Sequence, residues 1–231
     1  MASRSSLSRS IRSLDDGEVA AALVASPELL HLRDDRGRTW LHLCCGVDVS
    51  TRDTTASTAV VRIAANLHGL GLDLSDAAFT EGTWRATPVW YSVARGRNLT
   101  LTKWLLDHGA DPDHTLWAAA FRNDIDAIDL LLDHGASIDA VAEGETPFIA
   151  AIKVSHFESA WRLASRGANV DYQDASGMTA LHYMLKKASA SEHFEALARF
   201  SPSLDLADAN GRTARDLLGR KRDPRLRALI L

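Results

Sequence analysis

The chain has 231 residues, 46% of them hydrophobic and 24% charged, with a formal net charge of −4. These values lie close to the averages for globular proteins and exclude a disordered or collagen-like chain. No apolar run reaches the ~18 residues that a membrane helix needs, so no membrane association is expected. The most signal-like stretch, Val19 to Ala25, follows Asp15, Asp16 and Glu18. An acidic approach is wrong for secretion, and the stretch reads as an ordinary helix. The two cysteines, Cys44 and Cys45, are neighbours, a spacing that rarely permits an unstrained disulfide. A cytoplasmic setting is therefore expected.

Along the chain, residues 6–36 predict a polar-faced cap without a distinctive motif. Gly37-Arg38-Thr39 opens a second unit, about 37–73. In the third, 80–110, Thr87-Pro88 puts a hydroxyl at a helix N-cap and proline at the first helical position. The fourth, 113–136, holds a helix over Ile125–His134 with Ile128, Leu131 and Leu132 on one face. It stops at Gly135, a residue suited to the left-handed end of a helix. The fifth, 141–168, opens on Gly144-Glu145-Thr146-Pro147 and predicts a helix over Thr146–Lys153. The sixth, 174–205, opens on Gly177-Met178-Thr179, and a closing cap, 208–231, on Gly211-Arg212-Thr213. Thr146, Thr179 and Thr213 are 33 and 34 residues apart, while Gly-Ala recurs at 109, 135 and 167. Two markers in one phase define a repeat protein. Each helix pair is too small to bury its own apolar face, so neighbours must cover it and caps must close the ends.

These residues resemble the ankyrin repeat family. The stretch TPVWYSVARGRNLTLTKWLLDHGADPD (Thr87–Asp113) is close to the family pattern. GETPFIAAIKVSHFESAWRLASRGANVD, GMTALHYML, GRTARDLL and GRTWLHLCC match it in the same phase. The resemblance runs from about residue 12 to 231. It implies an all-α solenoid of about six to seven helix-turn-helix units with short β-turn fingers, in a single domain over 1–231. It further implies that His42 and His182, at the histidine position of the Thr-Pro-Leu-His motif, bridge repeats through hydrogen bonds. Trp117 takes that same position in the fourth unit. Functionally, the family mainly supplies protein-binding surfaces.

The departures from the pattern locate the expected site. Thr39 to Gly69 spans 30 residues against 21 from Thr146 to Gly167, so Gly46–Ser57 carries about nine extra polar residues, expected as a longer inter-helix loop. Gly109 reaches the next helix, near His114, in five residues against eleven between Gly135 and Thr146. The fourth unit should lack its finger. Phe79–Thr87 lengthens the preceding finger and places Trp84 and Arg85 near its tip. Phe121 and Arg122 fall on first-helix positions that family members use for binding, and an aromatic beside an arginine suits a hot spot. Tyr172 stands at a finger base where small residues are usual. From Leu105 to Thr146 there are ten acidic residues and one basic, a net −9 that suits a basic protein partner. The expected contacts are Trp84, Arg85, Phe121, Arg122, Glu143, Glu145 and Tyr172.

No catalytic chemistry is legible. His108, Asp111, Asp113 and His114 straddle a helix end and read as a turn rather than a metal site. No phosphate loop, nucleophile elbow or paired Cys-x-x-Cys occurs. Cys44 reads as a small buried residue. No cofactor or metal is expected, and the free chain is expected to be a monomer. The segment from Arg212 to Leu231 is basic, at +5, but lacks aromatics and reads as a cap helix, so nucleic acid is not an expected partner. The expected function is non-enzymatic protein binding of scaffold or adaptor type. The alternatives are an inhibitor or immunity-type protein masking a basic toxin or enzyme, and a bacterial effector acting in a host cell. Arginine outnumbers lysine 21 to 5, which points to a GC-rich, bacterial genome.

Overall fold

A computed structural model describes residues 2–79, 85–112 and 114–228. They fall into two compact units. The first comprises residues up to Thr115 together with Asp133–Ala136; the second comprises Leu116–Leu132 and Ser137 onward.

In the first unit, α1 (Arg4–Ser13) starts at Ser3, whose hydroxyl accepts the Ser6 N–H in a capping box. It turns its i, i+4 pair Leu7 and Ile11 fully inward. Helix α2 (Asp16–Ala25) is capped by the Asp15 carboxylate. There follow α3 (Trp40–Cys45), α4 (Thr54–Gly69), a hairpin of β1 (Ala78–Phe79) and β2 (Arg85–Ala86), and α5 (Pro88–Tyr91). A π-helical turn, Ser92–Gly96, leads from α5 to α6 (Leu99–Asp107). The first helices α1, α3 and α5 pack in one row, and the second helices α2, α4 and α6 in another. Leu41, Ile63, Leu67, Leu101 and Leu105 are buried between the rows.

The second unit repeats the scheme with α7 (Thr115–Phe121), α8 (Ile125–Asp133), α9 (Pro147–Val154), α10 (Phe157–Ser165), α11 (Ala180–Lys186), α12 (Ser191–Ala198), α13 (Ala214–Gly219) and α14 (Pro224–Ala228). Helices α9, α11 and α13 form one row; α10, α12 and α14 form the other. Phe148, Leu163 and Phe194 fill the space between.

One histidine device ties neighbouring repeats in both units. The His42 Nδ1 accepts the Thr39 N–H at 3.1 Å, which leaves Nε2–H to donate to the Ala86 carbonyl at 3.2 Å, 44 residues on. His182 accepts from Thr179 at 3.2 Å and donates to the Arg212 carbonyl at 3.0 Å. The bridging role implied by the resemblance is thus visible at both histidines.

The insertion in the second repeat differs from the expected polar loop. Part of its length extends α4 to 16 residues, against 9 in α6 and α10. The rest is anchored, because Val47 and Val49 are buried and the Val49 N–H donates to the Gly96 carbonyl at 3.1 Å. Gly96 itself lies so close to α3 that a Cβ there would collide with the Cys45 carbonyl oxygen. Two alternating valines give this segment an apolar face, and a polar tally hides it. Cys44 and Cys45 are both free and buried. Burial pushes the Cys44 thiol up to about 12, which makes it a poor nucleophile at neutral pH.

Between α6 and α7, the Thr115 N–H donates to the Pro112 carbonyl at 3.1 Å. No strand or bridge occurs there among the described residues; Asp113 lies outside them. Short fingers do occur elsewhere, at β1–β2 and at the bridges Ala142–Glu145 and Ala207–Thr213.

Candidate functional site

Five of the seven expected contacts belong to the second unit. Phe121 and Arg122 are both exposed where α7 ends, and Phe121 keeps 45% of its surface in solvent. Its ring is held, however, by stacking on Trp117 four residues earlier, with centroids 5.0 Å apart and planes 11° from parallel. Trp117 is thus the support of Phe121 as well as the occupant of the motif's histidine position. Its Nε1–H is buried without a hydrogen-bond partner among the described residues.

Glu143 and Gly144 form the tip of the finger in the fifth repeat. Both have positive φ, 54° and 76°, between the bridged residues Ala142 and Glu145. That pair of angles makes the two-residue turn whose twist suits a hairpin. Tyr172, from the next repeat, braces the tip by donating its hydroxyl to the Gly144 carbonyl at 3.3 Å. Glu143, Glu145 and Tyr172 therefore meet around one finger.

Glu145 is engaged by its own chain. Its carboxylate pairs with the Lys153 ammonium on α9, which also lies 5.1 Å from the centre of the Tyr183 ring on α11. The Tyr183 hydroxyl donates to Asp174, the opening residue of the next finger. Burial and the Asp174 carboxylate both push the Tyr183 phenol above its usual range. Burial alone would raise the Asp174 carboxyl, but hydrogen bonds from Tyr183, Met178 and Ser176 hold it below the usual range. The result is a chain of paired groups, Glu145–Lys153–Tyr183–Asp174, along the first-helix face. Sequence reasoning passes over Tyr183. The available signal is its place four residues after Thr179, the same offset that puts Tyr91 after Thr87.

Arg85 is exposed on β2 in the first unit, and Trp84 lies outside the described residues.

The acidic stretch is also largely partnered. Asp107 pairs with Lys103 at 2.7 Å and His134 at 3.1 Å, and these hold its carboxyl below the usual range. Asp129 pairs with Arg166 at 3.0 Å and Arg162 at 3.2 Å. Asp124 accepts the Ala127 N–H at the start of α8, and Asp139 accepts the Asn169 N–H. Glu143 and Asp126 are exposed and have no partner among the described residues. No group of three or more His, Cys, Asp or Glu residues among the described ones could hold a metal. No described helix is long and apolar enough to cross a membrane.

The family model of ankyrin repeats in three copies matches residues 89–174. Two solved structures are similar over nearly the whole chain. One is the ankyrin repeat domain of Bcl-3, described as a unique member of the IκB protein family, and the other is the human ASB11 ankyrin repeat domain. Each has a TM-score of 0.73 and 20% sequence identity, and each covers 97% of this chain. The matched share of the other chain is 97% for Bcl-3 and 96% for ASB11. No curated protein matches the sequence.

Proposed function

Because this chain has the ankyrin-repeat fold and carries repeats of that family, a general protein–protein interaction scaffold, we propose that it is a non-enzymatic binding module of scaffold or adaptor type. Its contact surface in the second unit is Phe121, Arg122, Glu143 and Tyr172. The observation that carries this reading is Phe121: a large ring left 45% exposed yet fixed by its stack on Trp117, with Arg122 beside it. A pre-ordered aromatic loses little side-chain freedom on binding, which is what makes such residues hot spots. Glu143, at the finger tip, and Asp126 support a partner with basic groups facing them. Glu145 contributes less, since a partner would first have to displace Lys153.

The test is affinity capture from cell extract with the parent chain and with Phe121→Ala, followed by identification of the bound proteins. A true hot spot is worth about 2 kcal/mol on truncation, so the variant should lose its partner mainly through faster dissociation. Several captured partners that retain their activities support the scaffold reading. One captured enzyme or toxin whose activity is blocked replaces it with the inhibitor reading. If folded Phe121→Ala holds the same partner with an unchanged dissociation rate, this surface is wrong.

A further inference from the structure

The first unit contains a cleft of the opposite character. Two adjoining cavities, of about 410 Å³ and 180 Å³, share Arg12, Arg38 and Leu43 as lining. Arg36, Arg52 and Arg95 line the larger and Arg4 the smaller. The fold assembles them from separate places. Arg4, Ser8 and Arg12 follow one another at i, i+4 and i+8 along α1, whose Leu7 and Ile11 face the core. Arg36 and Arg38 come from the turn before α3, Arg52 from the inserted segment and Arg95 from the π-helical turn after α5. Trp90, Tyr91, His42 and Val47, all largely buried, form the floor.

The charges do not cancel. Arg38 is held by Asp34 at 2.6 Å and stands 6.0 Å from the Tyr91 ring centre. Among the described residues, Asp48 is the one carboxylate lining the larger cavity, against five guanidiniums. Arg12, Arg52 and Arg95 are exposed and pair with no described residue. Clustered like charges repel one another, and a concave wall concentrates their field. Such an arrangement would be relieved by an anion, and guanidinium forks take carboxylates two bonds at a time.

We propose that this cleft docks an acidic peptide segment of a partner protein, one with several aspartate or glutamate side chains in close succession. The exposed guanidiniums line two cavities that share Arg12, Arg38 and Leu43, with Arg52 and Arg95 in the larger and Arg4 in the smaller, and that spread suits an extended chain of carboxylates over a single compact anion. Between the charges, the floor of Trp90, Tyr91 and Val47 covers the apolar parts of such a chain. This inference is independent of the Phe121 surface, which lies in the other unit and has other chemistry.

The test measures fluorescence anisotropy of a fluorescein-labelled, glutamate-rich octapeptide mixed with the full chain. The parent should bind it, more weakly as salt rises, and should not bind a lysine-rich analogue. The triple variant R12Q/R52Q/R95Q should bind it about tenfold more weakly or worse, because three charge-assisted contacts are lost. The triple variant R12K/R52K/R95K should fall between. R9Q/R199Q/R222Q, which removes equal charge outside the cleft, should match the parent. The proposal is overturned if the octapeptide shows no salt-sensitive binding, if the two glutamine variants bind alike, or if an oligothymidylate of equal charge binds more tightly than the peptide. Circular dichroism melts of all three variants should show no loss of stability against the parent, since no substituted arginine has a partner among the described residues and removing clustered like charges relieves repulsion.

Discussion

From Leu105 to Thr146 the chain carries ten acidic residues against one basic, yet folding pairs Asp107, Asp129 and Glu145 with cations from outside the segment and gives Asp139 the Asn169 N–H. Lys103, Lys153, Arg162 and Arg166 lie just before or well after it in sequence. The cleft of the first unit does the reverse. Its arginines are scattered from position 4 to position 95, each in an unremarkable stretch, and folding concentrates them with few carboxylates. In a repeat protein, residues about one repeat apart become neighbours. A charge count taken along a window therefore misjudges the field, too high in one region and too low in the other.

Breaking the frame beneath the cleft should have the largest effect. Gly96→Ala would drive a Cβ into the Cys45 carbonyl oxygen and disturb the bond that anchors Val49. We expect a loss of about 3 kcal/mol in urea unfolding, with weaker octapeptide binding. An unchanged midpoint would mean that α3 and the π-helical turn can separate freely.

Next come the bridging histidines. His42→Ala and His182→Ala each remove buried hydrogen bonds to two chain segments, and each should cost about 2 kcal/mol. His42 adds a pH signature. Burial lowers its pKa, so the unfolded chain takes up a proton at higher pH than the folded one does. Its stabilising contribution is present above the unfolded value of about 6.5 and is lost as the pH falls through the folded value. His42→Gln should flatten the dependence of stability on pH in that window. A slope identical to the parent's would remove His42 as its source.

How much of this is legible in the sequence depends on the range of the physics involved. The Gly-x-Thr and Gly-Ala markers encode caps and helix ends, which are local, and they are enough to place the repeats. The histidine bridges are implied by the motif's position. Phe121 and Arg122 follow from repeat phase, but that Trp117 holds the ring needs the helical offset of four. The insertion misleads because its polar residues outnumber the two valines that anchor it. Glu145 and the acidic stretch mislead because their counter-charges lie elsewhere in sequence. For the same reason the arginine cleft gives no local signal.

Smaller effects sharpen the comparison from the second unit. Tyr172→Phe removes the brace on the finger tip and should cost about 0.5–1 kcal/mol. Faster hydrogen exchange at the Glu145 amide, which bonds to Ala142, would report it. Exchange unaltered at that amide would show that the turn needs no brace. Asp129→Asn, losing two partly exposed ion pairs, should cost less than about 1 kcal/mol, a difference that shrinks in high salt. A larger and salt-insensitive loss would mean that the acidic stretch is built on these pairs far more than their exposure implies.

The most direct test of where the uncompensated charge lies is a nuclear magnetic resonance titration of the full chain with the glutamate-rich octapeptide, read at the tryptophan indole N–H signals. Trp90 lines the arginine cleft and Trp117 supports Phe121 in the other unit. The account predicts that the Trp90 signal shifts with added peptide and returns in high salt, while the Trp117 signal stays in place. A shift at Trp117 with Trp90 unmoved would contradict it.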